Sequence, residues 1–526
     1  MSLIGLRAPL PDVRLVHRTF EAHARRHPDR IALTCGKESR TFAELNAQAN
    51  QFANYLRSRG VGPGSIIGVC LDRTPELMVS ILGILKAGAA YVPLDPTYPR
   101  ERLELMLSQL ERNTFNVASL ETLELIDGAR SETVVVESLS AQLEALPTTD
   151  PEIELDNDGL CYVVFTSGST GAPKATAVRH EGWYNLLNWL QVEYRLDAGS
   201  SGLSVSSFGF DISQRGLMAP LFVGATLHLL PSRSFDPSMA YRLIGEHGVK
   251  TLHCAPSTLY VLIDQEMTRG TKALTGVDYV FIGGEPLNVA RVEEWASQDG
   301  NDCTLLHQYG VAECTDVASS HELTGYPRYR GAATPVGRPV YNTEIRLLDE
   351  ELREVPDGET GEICISGASV SAGYLNASPA DTQRFTEIES DGGPLRIYRT
   401  GDRGFATSDG ELVVVGRVDA QVKIRGMRID LGDVEHGVRG SAHVEDVVVL
   451  GVPDAQGELN LMAFVIPAYG DLDTRALRGE LLGILPRNMV PQDFVVVPSF
   501  PLNPNGKIDR KALAARFRPA DSAVGS

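Results

Sequence analysis

LCYVVFTSGSTGAPK, residues 160–174, sets an unbroken apolar run directly before a turn of hydroxyls and glycines. A short run rich in β-branched and aromatic residues reads as a strand buried on both faces. Such strands belong to parallel sheets, whose ligands bind beyond the carboxyl ends of the strands. The pattern recurs: VDYVF (277–281) runs into IGGE, and CTLLHQ (303–308) runs into YG. These repeats predict an α/β protein whose large N-terminal domain is built on mostly parallel sheets and helices.

Helices are legible toward the start. Thr41 and Glu44 have capping-box spacing, Leu45, Phe52 and Leu56 share one helical face, and Gly60 ends the run. Thr74-Pro75 opens a second helix that closes near Gly88. The last hundred or so residues change character: short strands, Asp446–Val452 and Leu461–Ile466, alternate with helices, as in a small α+β domain. The joint is expected at the polar GRVD turn (416–419) after the strand Leu412–Val415, dividing the chain into 1–418 and a small mobile domain, 419–526.

Length and composition agree with several cores. At 526 residues the chain exceeds one domain, and 43% of it is apolar without repeats or low-complexity tracts. A net charge of −20 argues against a nucleic-acid surface, which needs clustered Lys and Arg. The seven cysteines are scattered and show no metal-ligand spacing, so they read as reduced thiols of a cytoplasmic protein. The N-terminus lacks a signal-peptide pattern, and the apolar stretch Leu77–Leu94 is broken by Ser80, Lys86 and glycines, so no membrane anchor is expected.

Thr166, Ser167, Ser169 and Thr170 offer hydroxyls, Gly168 and Gly171 allow close backbone approach, and Lys174 adds a cation: the chemistry of a phosphate cradle. It is not the ordinary nucleotide loop, because the glycine-to-lysine spacing differs and Pro173 precedes the lysine. Alone, the stretch also fits a flexible Ser/Gly surface loop.

It has company. LKAGAAYVPLDP (85–96), TSGSTGAPK (166–174), FDIS (210–213), YGVAE (309–313), GEICISG (361–367), YRTGDRG (398–404), GRVDAQVKIRGMRIDLGDVE (416–435), LPRNMVP (485–491) and NPNGKIDRK (503–511) resemble, in order, the core motifs of non-ribosomal peptide synthetase adenylation domains. The resemblance runs from about residue 17 to residue 515. That superfamily also holds acyl-CoA synthetases and firefly luciferase. The resemblance implies a two-step reaction: a substrate carboxylate attacks the α-phosphate of MgATP to give acyl-AMP, and the phosphopantetheine thiol of a carrier protein then displaces AMP. An attacking carboxylate is already nucleophilic, so the protein must supply alignment and charge neutralisation.

By the resemblance, the 166–174 loop with Lys174 holds the β- and γ-phosphates, Glu313 ligates Mg²⁺, and Tyr309 stacks on adenine. Asp402 accepts from the ribose hydroxyls and Arg417 lies near ribose or phosphate, with Gly284, Glu285, His307 and Gly310 also in the nucleotide site. Lys507 reaches from the small domain to the substrate carboxylate and α-phosphate. Asp419 is the hinge, and Gly426 lets the backbone approach the thiol path. Two departures stand out: Ala175 replaces a usual glycine, tolerable unless φ must be positive, and YGVAE replaces YGPTE.

Asp211 discriminates among substrates. An α-amino acid brings an ammonium group into a closed pocket, and a buried cation needs a carboxylate. The resemblance assigns that carboxylate to Asp211; the competing local reading is a helix N-cap. The side-chain pocket is carried over as Asp211, Ile212, Arg215, His253, Phe281, Gly283, Gln308, Asp316 and Val317, with Lys507 at the carboxylate end. Arg215, His253, Gln308 and Asp316 make it too polar for Leu, Val or Phe. Arg215 and Asp316 either meet a charged guest or pair with each other around a small one.

The expectation is an enzyme that activates an α-amino acid with a polar side chain for a carrier protein. A CoA or D-alanine–carrier ligase of the same superfamily, or a non-catalytic homologue, are the alternatives. No GGxS carrier motif or HHxxxDG condensation motif occurs, so the chain reads as a stand-alone adenylation enzyme or one excised from a longer synthetase. Which amino acid, which carrier, and whether a small activating partner protein takes part are left open at this level.

Overall fold

The computed structural model describes residues 2–110, 113–166, 173–329, 333–375, 378–390, 392–417, 421–454, 456–470, 472–501, 508 and 510–516. The expectations for Ser167, Gly168, Ser169, Thr170, Gly171, Asp419 and Lys507 fall outside these residues.

The strand Leu160–Thr166 lies inside a seven-stranded sheet, ordered Gly373–Leu375, Lys174–Arg179, Leu160–Thr166, Ala90–Pro93, Ile66–Cys70, Asn113–Ala118, Glu132–Val135. From Leu160–Thr166 outward to Glu132–Val135 the neighbours run parallel, and Lys174–Arg179 returns antiparallel. Ala175 sits in that returning strand opposite Phe165, on ordinary extended backbone with no positive φ, so the missing glycine costs nothing there. The other two predicted strands, Tyr279–Gly283 and Thr304–Tyr309, are parallel neighbours in a nine-stranded sheet, and parallel pairing continues from them through Thr251–Cys254, Gly202–Ser204 and Leu227–Leu229 to Ile31–Cys35. One apolar cluster draws on both sheets: Ile67, Tyr91 and Tyr162 from one, Leu33, Leu227 and Phe281 from the other, with Leu82, Trp183 and Leu217 from helices. The mostly parallel α/β expectation holds for these two sheets.

The sequence reading did not isolate a third sheet. Ser2–Ile4, Thr343–Leu348, Gly361–Gly367, Gly393–Ala406 and Phe385–Ser390 pair antiparallel in that order, and Leu412–Arg417 joins Gly393–Ala406.

Local signals map onto local structure. The helix Phe42–Ser58 starts at a complete capping box: the Glu44 N–H donates to Thr41 Oγ1 at 3.1 Å and the Thr41 N–H to Glu44 Oε2 at 2.8 Å. The next helix is Pro75–Lys86, and both are followed by a left-handed glycine, Gly60 (φ +84°) and Gly88 (φ +82°).

The C-terminal domain begins, among the described residues, with a hairpin of Gln421–Ile424 and Met427–Asp430. A three-stranded sheet of Val444–Pro453, Leu459–Pro467 and Asp493–Val496 follows, with the helices Leu431–Arg439, Thr474–Ile484 and Arg510–Arg516. Its core, including Ile429, Val434, Val449, Phe464 and Leu481, is separate from the core under the large sheets. All seven cysteines are unpaired, and no helix among the described residues is long and apolar enough to cross a membrane.

Candidate active site

The carboxyl ends of the central strands open onto one cavity of about 100 Å³. The segment leading to it is held by its own side chains: Ser213 Oγ and Gln214 Nε2 donate to the carbonyls of Phe208 and Phe210, and Tyr91 Oη donates to Gln214 Oε1 at 2.7 Å. This pinned turn delivers Asp211 to the cavity as the first residue of the helix Asp211–Phe222. The N-cap is Phe210, not Asp211, whose Oδ1 accepts only from the N–H of Ile212 at 2.8 Å. No described Lys or Arg pairs with Asp211. Burial, and then the nearby charge of Asp316, push its carboxyl up to about 7.

Arg215, one turn along the helix, has only 1% of its surface exposed. Its Nε lies 2.6 Å from Asp316 Oδ2, and its Nη1 donates to Gln308 Oε1. Gln308 ends the strand interior next to Tyr309, and Asp316 follows the short 3-10 turn Ala312–Cys314 with Thr315 and Asp316 both left-handed (φ +54° and +70°). Two consecutive non-glycine residues in that region are costly and mark an over-determined segment. Gly310 is obligatory here for a steric reason: a Cβ would lie 1.8 Å from the Asp316 carbonyl oxygen. His253 and Phe281 stack with centroids 4.6 Å apart and planes at 7°, but neither lines the cavity; burial lowers the His253 ring well below its ordinary value.

At the other end, Tyr309 Oη donates to Asp402 Oδ2 at 2.7 Å, and Arg417 donates to Asp402 Oδ1. Glu313, 1% exposed, receives a 2.5 Å hydrogen bond from Tyr374 Oη, itself 3.0 Å from Tyr398 Oη. Burial works to raise the Glu313 carboxyl, but Arg428 and the Tyr374 hydroxyl outweigh it and hold it below the ordinary range. Lys174 forms a 2.6 Å ion pair with Asp381, and the buried Oγ1 of Thr166 has no hydrogen-bond partner among the described residues. His307 is buried with Nδ1 2.8 Å from the Pro335 carbonyl, and burial lowers its ring to about 4.

The small domain completes the wall. Its hairpin contributes Lys423, Gly426, Met427 and Arg428 to the cavity lining, joined by Pro486 and Met489. At the hairpin tip Gly426 (φ +78°) donates its N–H to Glu285 Oε1 at 2.5 Å, and Glu285 also receives the Ser257 N–H at 3.0 Å. Gly284 (φ +86°) faces that tip so closely that a Cβ on it would stand 3.4 Å from the Gly426 backbone. Lys423 Nζ lies 5.1 Å from the Tyr309 ring centroid, on the residue expected to stack on adenine. Arg428 Nη1 approaches both Glu313 oxygens at 3.3 and 3.4 Å.

Thr166, Asp211, Ile212, Arg215, Gly283, Gly284, Gln308, Tyr309, Gly310, Asp316 and Val317 therefore share one cavity, while Lys174, His253, Phe281, Glu285, His307, Glu313, Asp402 and Arg417 stand outside its lining. The sequence reading missed Tyr374 and Asp381, which carry no local signal, and quoted the motifs 398–404 and 416–435 without singling out Tyr398, Lys423 and Arg428.

The AMP-binding enzyme family matches residues 20–375, and the AMP-binding enzyme C-terminal domain matches 433–507. The chain is 31% identical over 505 residues to zwittermicin A synthase ZmaJ of Bacillus cereus, covering 95% of this chain and 94% of that protein. It is 36% identical over 510 residues to a dimodular nonribosomal peptide synthase of Bacillus subtilis, covering 94% of this chain but only 21% of that much longer protein. Among solved structures it resembles NpsA-ThdA, an artificially fused adenylation-PCP di-domain of a non-ribosomal peptide synthetase from Klebsiella oxytoca, with TM-score 0.83 and 25% identity over 92% of this chain and 94% of that one. Matched along most of its length and carrying the fold and clustered residues just described, the chain belongs to the AMP-binding enzyme family as an adenylate-forming ligase.

Proposed function

We propose that the chain activates an α-amino acid with a polar side chain as its aminoacyl-AMP, releasing pyrophosphate, and transfers the aminoacyl group to the phosphopantetheine thiol of a carrier protein. Asp211 carries the reading. A carboxylate in a small cavity, forming no ion pair among the described residues and pushed up to about 7 by burial and Asp316, is a site that gains by receiving an ammonium group. A plain carboxylic acid would leave it uncompensated. The polar guest is supported by Arg215, Gln308 and Asp316, which line the cavity while the stacked His253 and Phe281 do not. With Arg215 and Asp316 paired, a hydrogen-bonding side chain of modest size fits better than a long charged one.

Glu313 would hold Mg²⁺. It is a buried carboxylate already facing one cation, and no group of three acidic, His or Cys side chains stands ready among the described residues, so phosphate oxygens of ATP would complete the ion's shell. When bound, the ion supplies neutralisation of phosphate charge. The chain's own residues align: Asp211 anchors the ammonium, Asp402 and Tyr309 offer the ribose and adenine contacts, and the 166–174 loop meets the phosphates. Lys507 would act on the α-phosphate during adenylation. The hairpin docked through Gly426 and Glu285 supports assigning this arrangement to the second step, in which the thiol would arrive.

Pyrophosphate exchange with the common amino acids, followed by loading of a phosphopantetheinylated carrier, tests this. Exchange with polar amino acids and thioester formation on the carrier are expected. Highest kcat/KM for Leu, Val or Phe would refute the polar pocket, and activity only with plain carboxylic acids and CoA would replace the assignment by a CoA ligase.

A further inference from the structure

The contact between Arg428 and Glu313 joins a cation of one domain to a buried carboxylate of the other. Glu313 is 1% exposed, and its side chain is ringed by Tyr374 and Tyr398. Arg428 Nη1 faces both carboxylate oxygens at 3.3 and 3.4 Å. The guanidinium is aimed there by other bonds: its Nε donates to Gln421 Oε1 at 2.6 Å and its Nη2 lies 3.5 Å from the Thr400 carbonyl. Gln421 is itself held by Arg417 Nη2 at 2.9 Å and donates to Asp430 Oδ2 at 3.1 Å. Arg428 is thus a cation on the hairpin of one domain, held by Gln421 of the same hairpin and by Thr400 of the other domain, facing an anion buried in that other domain.

Glu313 would hold the divalent ion through the same carboxylate oxygens that Arg428 Nη1 now faces. Two cations on one buried carboxylate repel in a site poorly screened by water. We propose that Arg428 and the divalent cation compete for Glu313, so that the hairpin docks fully only once the metal has left with pyrophosphate. Arg428 is then a positioning residue that ties the domain arrangement to metal occupancy. It replaces the ion's charge on Glu313 and leaves no uncompensated carboxylate when the second step begins. The inference rests on Glu313 being the metal's ligand, as in the proposed function, but it makes a separate statement: metal binding and hairpin docking are thermodynamically opposed, each weakening the other by the same factor.

The test uses the full chain with AMP and pyrophosphate, and needs no amino acid or carrier. Mn²⁺ affinity is read from the electron paramagnetic resonance of the free ion, and docking from hydrogen exchange in the peptide holding Gly426, whose N–H is bonded to Glu285 only when the hairpin is seated. In the wild type, Mn²⁺ with pyrophosphate should speed exchange at Gly426. Arg428→Gln should bind Mn²⁺ roughly fivefold or more tightly, a typical coupling factor, and its Gly426 exchange should no longer respond to the metal. Arg428→Lys keeps the charge and should retain both the wild-type affinity and the response, which separates the effect from damaged folding. Equal Mn²⁺ affinity in wild type and Arg428→Gln would overturn the competition, as would a metal response at Gly426 that survives in Arg428→Gln. Pyrophosphate exchange with amino acids remains an independent measurement, so failure of the assigned reaction and failure of this interlock are distinguishable.

Discussion

Arg215 Nε and Asp316 Oδ2 meet at 2.6 Å inside the cavity, so two charges that the sequence left either to a guest or to each other face one another in this structure. Removing one partner strands the other in a buried site, which costs on the order of 3–5 kcal/mol. Arg215→Leu and Asp316→Ala should each lower kcat/KM and stability sharply, and the double substitution should recover part of the loss. A double-mutant cycle read by urea unfolding and pyrophosphate exchange measures the coupling. Additive losses would mean that the pair is not the reason for either residue.

Asp211 should make the empty enzyme pH-sensitive. Its carboxyl titrates at about 7 in the folded chain against an ordinary 3.8, so between those values the folded state holds a proton that the unfolded state has released. Stability from this group is therefore greatest at the acid end and falls as pH rises toward about 7. Substrate ammonium needs the ionised form, so apparent amino-acid affinity should rise over the same interval. Asp211→Asn should flatten both profiles, as thermal unfolding and KM measured from pH 5 to 8 would show.

The two half-reactions should separate at the hairpin tip. Gly426 is left-handed at φ +78°, and a Cβ there would also meet the Ala255 side chain at 3.1 Å. Gly426→Val should cost roughly 1–2 kcal/mol of docking, about tenfold or more in carrier loading, while pyrophosphate exchange stays near wild type. Equal loss in both assays would remove the hairpin from the second step.

For Lys507 the expectation comes from its NGK motif. Lys507→Ala should lower the adenylation rate by roughly 10²–10³ through lost charge stabilisation, with little change in ATP affinity. Loading from preformed aminoacyl-AMP should suffer less, and single-turnover assays of the two steps would show the split.

A control far from the chemistry is Thr41→Ala. Loss of its cap bond to Glu44 should destabilise the chain by about 1 kcal/mol and leave kcat unchanged.

What was legible follows from the range over which each signal acts. Leu160–Thr166, Tyr279–Gly283 and Thr304–Tyr309 are covered on both faces, so burial writes a continuous apolar run into the sequence; the Thr41–Glu44 box is complete within four residues. The antiparallel sheet leaves no such mark. Thr343–Leu348 alternates buried and half-exposed residues, and register shifts at Glu362/Cys364 and Arg403/Gly404 interrupt its neighbours. Asp211 and Glu313 stood out because their motifs are short and local. Tyr374, 61 residues beyond Glu313, and Arg428, 115 beyond it, touch that carboxylate only after the chain has folded, and nothing in their immediate surroundings announces it.

The shared wall of the cavity bears on how such enzymes are recombined. Because Met427, Pro486 and Met489 face the same space as Asp211 and Arg215, the wall of that cavity is drawn from both domains at once, and so would be the substrate choice proposed for it. A chimaera joined between residues 417 and 421 would take Asp211, the proposed amino-acid anchor, from one parent and Met427, Pro486 and Met489 from the other. Swapped cores should therefore carry their preference across faithfully at the first step and be edited by the borrowed residues at the second.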